Sequence, residues 1–395
     1  MENHGNKPEK KNFIKGLIAG LLIPLAILSL LIVFNVGNLG SLAQTVILMN
    51  RQSLNSLSFA EKTEGAIGGI VSALDDPYSY YLNEEEFSAM MEEVSGSYKG
   101  IGVYIGEEKD SPYVSILSPM KGSPAFDAGL QAGDLIVSVD GASMEGKSSS
   151  EVSDSIKKTE EGTIHLEVLR DGETMEFDVE CKEIDIPTVE GQYLEGEDGI
   201  GYISISQFND TTPQQFKAAL ESLQSGGELK GLILDVRNNG GGSVAAVTEI
   251  AEEFLAAGDH IFWTQERKDE DVVNSQNESP LNLPVVMLVN ENSASASEIL
   301  AGALHDNDVA TLVGQTTFGK GIIQTVFSLQ DGAAVKVTTA RYQSPDRHEI
   351  HEKGIKPDVA VEMKDDDPMA IYSMDQAEDA QLAAAVAEMK KKLSE

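Results

Sequence analysis

Two short stretches of the sequence carry residue types suited to nucleophilic chemistry. The first, Ser-Ala-Ser-Ala-Ser at 293–297, follows the apolar run 283–289, which is typical of a fully buried strand. A strand that leads through small residues into a helix can present a hydroxyl at a sheet edge, with backbone N–H groups close to a substrate carbonyl. The second stretch holds Lys320 between two glycines and beside apolar residues. We expect this lysine to lose contact with solvent and, with it, part of its basicity.

Two other interpretations of these stretches need no serine chemistry. Ser293 or Ser295 could be the N-cap of a helix predicted over 297–304. Residues 314–320 also match the first seven positions of a phosphate-binding P-loop. A P-loop requires Ser or Thr after its lysine to reach magnesium, and Gly321 stands at that position. The N-cap interpretation stays open at this point, whereas nucleotide binding is disfavoured.

The order of these motifs resembles the active-site block of a protease family. The sequence reads Ser-Ala-Ser-Ala-Ser-Glu-Ile at 293–299, Gly-Ala-Leu at 302–304 and Thr-Phe-Gly-Lys-Gly-Ile-Ile-Gln at 317–324. This text is similar to that of the carboxyl-terminal processing peptidases, which are serine proteases that use a Ser–Lys dyad. The resemblance covers most of the chain, and it implies hydrolysis of a peptide bond through an acyl-enzyme.

The resemblance implies a role for three residues. Ser295 is the nucleophile, Lys320 is the general base that takes its proton, and Gln324 orients the lysine. A free lysine has a pKa of about 10.4, so only about 0.04% of it is neutral at pH 7, and burial must lower the pKa of Lys320. In an extended strand Gln324 would lie about 13 Å from Lys320, whereas one helical turn brings such residues to about 6 Å. We therefore predict a turn after Gly319.

Strands that alternate with helices predict a parallel α/β fold for the second half of the chain. One buried strand is expected at 229–236 and is followed by the glycines 240–242. These glycines fall at the carboxyl ends of the parallel strands, which is where ligands bind in such sheets. The resembling family has Asn-Pro-Gly-Gly at this point, and Gly240 replaces the proline. By this resemblance we assign the two backbone N–H donors of an oxyanion site to Gly241 and Ala296.

A pattern of short alternating strands begins near residue 96. Together with a helix predicted over 149–158, it is similar to a PDZ domain of bacterial type. The glycine-rich loop would offer N–H groups to a terminal carboxylate, and the groove beside the helix would accept an extended peptide as an added strand. The partners implied are protein or peptide substrates with free, apolar C-termini, although a PDZ domain on its own also fits a scaffold. The residues assigned to substrate binding are Gly100, Ile101, Gly102, Val103 and Arg170.

The first 34 residues indicate a membrane anchor. Residues 1–15 contain four lysines, and the nineteen residues 16–34 carry no charge. At about 1.5 Å each, these residues span about 28 Å, close to the hydrocarbon thickness of a bilayer. The preceding lysines predict a cytoplasmic tail and a catalytic body outside the cytoplasm, in a single-pass protein of the cell membrane. Removal of the anchor at the Ser-Leu-Ala sequence 41–43 stays open.

The composition of the chain excludes several kinds of binding partner and of site. A net charge of −36 repels a phosphate backbone and argues against nucleic acid. The single cysteine, Cys181, excludes an internal disulfide and a thiolate metal cluster. His348 and His351 lie three residues apart without a third ligand nearby, so neither metal nor cofactor is expected. A Ser–His–Asp triad stays an alternative, although His305, on the helix after Ser295, is expected to point away.

These observations combine into one prediction for the whole chain. The fold class is α/β, with a parallel, crotonase/ClpP-like peptidase core, an inserted PDZ domain, an N-terminal membrane helix and helical arms. The resemblance implies that the arms serve self-association, to a homodimer or a higher oligomer. The function predicted is that of a membrane-anchored serine endopeptidase that recognises the C-terminal tails of its substrates and cleaves them for processing, signalling or turnover. The segments expected are a cytoplasmic tail (1–15), a transmembrane anchor (16–34), a helical region (35–95), a PDZ domain (96–182), a Ser–Lys peptidase core (183–363) and a C-terminal helical tail (364–395).

Overall fold

The structure is a computed structural model that describes residues 22, 26, 29–109, 111–158, 162–363 and 378–394. The chain divides into two structural units, Met1–Asn83 and Glu84–Glu395. Helices predominate among the described residues of the smaller unit, as the sequence predicts. These residues form a short 3-10 helix (Val36–Asn38), α1 (Leu39–Gln52), α2 (Phe59–Ser72) and β1 (Tyr80–Leu82).

Helix α2 begins at a capping box. Ser58 Oγ accepts a hydrogen bond from the Glu61 N–H (3.1 Å), and the Glu61 carboxylate accepts one from the Ser58 N–H (2.6 Å). Two N–H groups that the first helical turn leaves free are thereby satisfied. The anchor predicted over 16–34 lies mainly outside the described residues. Within the part of the chain that the structure describes, no helix is long and apolar enough to span a bilayer.

A seven-stranded antiparallel sheet and two short helices form the PDZ-like part of the larger unit. The strand order is β2-β8-β7-β5-β4-β3, and β6 pairs with β5. The core between sheet and helices is apolar and encloses Cys181, which is a free, buried thiol. Helix α3 (Glu84–Ser95) precedes this part. The elements of the part itself are β2 (Ser97–Gly100), β3 (Val103–Glu107), β4 (Val114–Pro119), α4 (Pro124–Ala128), β5 (Leu135–Val139), β6 (Ala142–Ser143), α5 (Ser149–Lys157), β7 (Gly162–Arg170) and β8 (Glu173–Asp185).

The rest of the larger unit alternates strands and helices, as its apolar runs predict. Two sheets are present, of which the first has the order β18-β15-β14-β11-β10-β9 and is parallel apart from β9. The elements are β9 (Val189–Tyr193), β10 (Ile200–Ile205), α6 (Thr212–Gly226), β11 (Gly231–Asp235), α7 (Val244–Glu252), β12 (His260–Glu266), β13 (Glu270–Asn274), β14 (Val285–Val289), α8 (Ala296–Asp306), β15 (Ala310–Gly314), β16 (Ile322–Ser328), β17 (Ala334–Gln343), β18 (Val359–Ala360) and α9 (Ala380–Ser394).

Helices cover both faces of the parallel sheet. Along β14, Val285, Met287 and Val289 pack into the cluster formed with α6, α7 and α8. The alternate residues Val286 and Leu288 pack on the other face, against α9. Because side chains of a strand alternate between faces, a strand covered on both sides must be apolar throughout, which explains the uninterrupted apolar runs of β11 and β14.

The second sheet is antiparallel and contains the order β16-β17-β12-β13. It corrects one prediction from the sequence. No helical turn follows Gly319, because residues 316–321 form a loop and Gln324 lies inside β16. A register shift, typical of a β-bulge, falls between Ile323 and Gln324. Such an irregularity bends a strand and redirects its side chains.

A buried ion cluster joins α9 to the carboxyl end of β11. Arg237 is 4% exposed and binds Asp235 through Nη2 and Oδ2 at 2.6 Å. The same Nη2 lies 2.8 Å from Asp379 Oδ2, at the start of α9, and Nη1 donates to Gln381 Oε1 (3.2 Å). Buried charges need such complete pairing because the interior does not solvate them. The cluster therefore fixes the C-terminal helix beside the edge where the glycines 240–242 lie.

Candidate active site

Ser295 lies in the junction between β14 and α8 and has an unusual backbone. Its φ and ψ are 54° and −114°, a conformation that is costly for a residue with a side chain. The Ser295 carbonyl accepts hydrogen bonds from the N–H groups of Glu298 (2.9 Å) and Ile299 (3.0 Å), which begins the helix. Strained residues of this kind persist where the surrounding contacts over-determine them.

The carboxylate of Glu298 is one source of that constraint. Glu298 is fully buried, and its Oε2 accepts hydrogen bonds from the N–H groups of Ser295 (2.9 Å) and Lys320 (2.8 Å). Its Oε1 accepts two more, from the Gly319 N–H (2.7 Å) and the Thr317 hydroxyl (2.6 Å). Glu298 thus links residues 290–295, called the serine junction, to residues 316–321, called the lysine loop. The P-loop interpretation is wrong, because these N–H groups bind a protein carboxylate and the loop continues into a strand.

Tyr342 on β17 makes a second connection between the same two segments. Its hydroxyl lies 2.9 Å from the carbonyl oxygens of both Ser295 and Lys320, and it can donate its single proton to one of them at a time. Burial, and then the negative charge of Glu298, raise the pKa of Tyr342 well above its ordinary value. Tyr342 therefore stays a neutral hydrogen-bond donor.

Lys320 is half-buried, and its surroundings disfavour the charged form. Burial is the larger cause that lowers the pKa of its amine, and the ammonium group of Lys336 lowers it further. The carboxylate of Glu298 acts in the opposite direction. The prediction that this lysine becomes less basic agrees with these surroundings, and the second lysine adds a cause that the sequence does not reveal.

A pocket of about 370 Å³ brings together the residues predicted to react. Side chains from the serine junction, the lysine loop and the antiparallel sheet meet in it. No apolar side chain is among its described lining residues, so it suits polar groups and the backbone of a peptide. The residues that line it are Glu93, Ser206, Gln207, Gly240, Gly241, Gly242, Ser295, Lys320, Gln324 and Lys336.

The glycine loop packs directly against the serine. A Cβ on Gly241 would lie 2.7 Å from the Cβ of Ser295 and 3.0 Å from the Ala296 nitrogen, so a side chain there would collide. The Gly241 N–H donates to Asn239 Oδ1 (2.9 Å). In the conformation seen here that N–H is already bonded within the loop. Gly241 as an oxyanion donor therefore stays a prediction, and it requires this hydrogen bond to open.

The groove beside α5, which the sequence predicts to bind a peptide and which is called the peptide groove below, contains four of the five residues assigned to substrate binding. Gly100, Ile101, Gly102 and Val103 line a small pocket together with the second half of α5. Arg170 is not among the described residues that line it. Its Nε and Nη2 instead bind Asp134 Oδ1 and Oδ2 at 2.6 and 2.7 Å, so the guanidinium is held inside the PDZ-like part.

The described histidines lie outside the candidate active site. None of them lines the pocket of Ser295 and Lys320. His305 interacts with Asp306 and Asp358, and so points away from Ser295, as expected. Among the described residues, one group of potential metal ligands is close enough to share an ion, and it lies on the exposed face of β7 and β8. This group consists of His165, Glu167 and Glu176.

Three residues that contact Ser295 or Lys320, or that lower the pKa of the lysine, were not predicted. Glu298 lies three positions after Ser295, which is the spacing of a capping box, and that signal could have found it. Lys336 and Tyr342 lie on β17, which pairs with β16 and β12. Which side chains of β17 face the site depends on the register of these pairings, and no local pattern specifies that register.

Comparisons with known proteins match the chain in three consecutive segments. The profile described as Peptidase family S41 matches residues 199–361, and that of a PDZ domain matches 99–181. A profile described as the activating protease CtpB N-terminal domain matches 35–86.

Two curated relatives are similar over most of this chain. The carboxy-terminal processing protease CtpA of Bacillus subtilis (strain 168) is 39% identical over 304 residues, which cover 76% of this chain and 64% of that protein. The aligned region thus spans slightly less than two thirds of this relative. The carboxyl-terminal-processing protease of Synechocystis sp. is 37% identical over 306 residues, with coverage of 76% and 71%.

A solved structure shares the fold. The putative S41 protease from Bacteroides fragilis matches 87% of this chain and 96% of its own, with a TM-score of 0.51 and 17% identity. At this identity the likeness concerns the fold alone.

Proposed function

Because the chain belongs to peptidase family S41, the family of the carboxyl-terminal processing proteases, we propose that it is a serine endopeptidase that cleaves protein substrates with Ser295 and Lys320. The observation that carries this proposal is the shared pocket of the two residues, with Glu298 bound to the backbone of both. A nucleophile and a base held by one rigid carboxylate keep their relative positions, which is what an oriented proton transfer requires.

The reaction proposed begins with a neutral Lys320. Ser295 Oγ attacks the scissile carbonyl carbon, and its proton passes to Lys320 Nζ. The resulting ammonium donates this proton to the leaving amine as the C–N bond breaks, which leaves an ester on Ser295. Water then attacks the ester carbonyl while Lys320 takes its proton. As the C–O bond to Ser295 breaks and the acid departs, the ammonium returns that proton to Ser295 Oγ, which restores the hydroxyl and the neutral amine. Because the pKa of Lys320 is lowered, more of its amine is neutral at a given pH, and only the neutral amine can accept a proton.

The negative charge on the attacked carbonyl oxygen needs backbone donors. Ala296 follows the nucleophile directly, and Gly241 packs against its nitrogen. We assign the oxyanion site to the N–H groups of Ala296 and of Gly241, the latter after release from Asn239. Gln324 lines the same pocket, and its proposed role is to orient the amine of Lys320.

The location and assembly of the protein are also part of the proposal. The uncharged segment 16–34 anchors the chain in the cell membrane, with the peptidase outside the cytoplasm. The parallel sheet with helices on both faces supports a crotonase/ClpP-like core. Exposed apolar side chains of the smaller unit, among them Leu54, Phe59 and Ile70, support self-association to a homodimer or higher oligomer.

The experiment that tests the function is cleavage of a protein with an apolar C-terminal tail, followed by mass spectrometry. Wild type should produce defined fragments, whereas Ser295→Ala and Lys320→Ala should produce none above background. His305→Ala, the matched change at the histidine that lies on α8, should retain most of the rate. A Lys320→Ala protein that cleaves at the wild-type rate, or a His305→Ala protein that does not cleave, would show that the base is a different residue.

A further inference from the structure

The peptide groove contains an ion pair that joins it to helix α3. Lys157, the last residue of α5, lines the groove together with Gly100 and its loop. Its Nζ lies 2.6 Å from Glu92 Oε2, and the two side chains are 34% and 43% exposed. A lysine in a groove that receives a peptide end is chemically matched to a terminal carboxylate. In this structure the carboxylate beside that lysine belongs to the chain itself.

The next residue of α3 contacts the other functional pocket. Glu93 Oε1 accepts a hydrogen bond from Gln207 Nε2 at 2.9 Å. Both side chains line the pocket that contains Ser295 and Lys320. Two successive residues of one helix therefore contact the peptide groove and the candidate active site.

The end of α3 is also hydrogen-bonded toward the glycine loop. The Val94 carbonyl accepts a hydrogen bond from the Asp210 N–H (2.9 Å). In the same segment, the Phe208 N–H donates to the Gly241 carbonyl (3.0 Å), and the Phe208 carbonyl accepts from the Ser243 N–H (2.7 Å). These hydrogen bonds connect the helix end to the backbone that packs against Ser295.

On the basis of the proposed function, we propose that Lys157 binds the terminal carboxylate of the substrate, and that Glu92 occupies Lys157 while no tail is bound. Entry of a tail exchanges one carboxylate for another and releases the end of α3, including Glu93. Lys157 is then a specificity-determining residue and also the first contact in a link from the groove to the active-site pocket.

The physical chemistry of the pair suits such an exchange. A partly exposed ion pair is weak, because solvent screens the charges and two long side chains must be ordered. A peptide carboxylate in the groove would also accept hydrogen bonds from N–H groups of the loop 100–103, whereas the Glu92 carboxylate is bound to Lys157 Nζ. By linkage, a change that weakens the Glu92 contact must strengthen tail binding, and tail binding must weaken the contact by the same factor.

The first test measures binding without cleavage. The full chain carrying Ser295→Ala, in detergent, is titrated with a fluorescent peptide that has an apolar C-terminus, as the free acid and as the amide. We expect Glu92→Gln to tighten binding of the free acid about threefold to fivefold, and Lys157→Gln to weaken it by a similar factor, as for one partly exposed ion pair. Binding of the amide should not change, and Glu92→Gln should have no effect when Lys157→Gln is present.

The matched control is Glu180→Gln. Glu180 pairs with Lys182 on β8, also at the surface, and does not line the groove. This variant should bind both peptides as the parent does. Equal changes for acid and amide, or no change with Glu92→Gln, would overturn the proposal. Because no peptide is cut, this result does not depend on the proposed protease activity.

The second test measures the link to catalysis in the protein that retains Ser295. Substrates with the same internal cleavage sequence, with and without the apolar tail, are compared at saturating concentration. Glu92→Gln should raise the kcat of the tail-less substrate severalfold toward that of the tailed one, and Glu180→Gln should not. An unchanged kcat of the tail-less substrate would refute release of α3 as the link.

Discussion

At the residue scale, the proposed reaction depends on the surroundings of one side-chain amine, that of Lys320. Lys320 is half-buried, lies beside a second lysine, and has its backbone N–H bound to Glu298. Burial and a neighbouring positive charge both favour the neutral form of an amine. The neutral form is the one that can accept a proton from a hydroxyl, so these features fit the proposed reaction.

Lys336→Met should move the pH dependence of cleavage. Removing its positive charge raises the pKa of Lys320, so a higher pH is needed to form the neutral amine. We expect the ascending limb of kcat/KM against pH to shift upward. Arg341→Met, an exposed cation on the same strand, serves as control and should leave the limb in place. A profile that Lys336→Met does not move would show that its charge has no influence on the base.

Glu298→Gln should impair catalysis through positioning. The amide keeps one acceptor oxygen but turns an NH₂ group toward N–H donors that need an acceptor. We expect kcat to fall about 100-fold or more, because misplaced reacting groups lose much of their rate advantage. Loss of the negative charge should also shift the pH limb downward, which a merely structural defect would not do. Glu291→Gln, an exposed acid in the loop before Ser295, is the control. Retention of wild-type kcat by Glu298→Gln would contradict the positioning role.

The residues of the site could be predicted from the sequence only where a short local motif identifies them. The Ser-Ala-Ser-Ala-Ser and Gly-Lys-Gly sequences led to Ser295 and Lys320, which the structure places in one pocket. Lys336 lines that pocket, and the hydroxyl of Tyr342 contacts the carbonyl oxygens of Ser295 and Lys320; both residues lie on β17. Their contribution depends on strand register, and a single sequence does not specify register across sheets.

At the scale of helices and strands, uninterrupted apolar runs in the sequence predicted the buried strands correctly. Strands β11 and β14 are covered on both faces, so their sequences are apolar throughout and predict buried strands. Strand β16 was missed because the orienting role assigned to Gln324 favoured a helical turn after Gly319, and because the strand has polar and exposed positions. Pairing with β17 overrides that local signal.

Arg237→Met should destabilise the junction of β11 and α9. It leaves Asp235 and Asp379 buried without their common cation, and breaking a buried pair costs about 3–5 kcal/mol. We expect a lower midpoint of thermal unfolding and early exposure of α9 to proteolysis. Lys230→Met, which breaks an exposed pair with Asp198, should change stability by less than about 1 kcal/mol. An Arg237→Met midpoint equal to that of Lys230→Met would show that the cluster does not stabilise this junction.

At the scale of the whole molecule, charge and hydropathy are separated along the chain. The segment 16–34 has no charged residue, whereas the chain as a whole has a net charge of −36. An acidic body is repelled by anionic lipid, so the membrane attachment proposed for this chain would depend on the apolar segment.

Deletion of residues 1–35 should release the protein from membranes. Without the uncharged segment, nothing offsets the repulsion between an acidic body and anionic lipid. Cell fractionation should find the full chain with membranes and the shortened chain in the supernatant, with cleavage activity retained. A shortened chain that still sediments with membranes, after a high-salt wash, would contradict an anchor at 16–34.

The most direct test of the account is the rate of Ser295 acylation against pH, measured in single turnovers with wild type and Lys320→Ala. We predict that the acylation rate rises with pH along a limb whose apparent pKa lies below that of an ordinary lysine, because burial and Lys336 disfavour the ammonium form. We also predict that Lys320→Ala abolishes both the limb and the acylation. An unchanged limb in Lys320→Ala, or a wild-type limb at the ordinary pKa of lysine, would contradict a neutral Lys320 as the base.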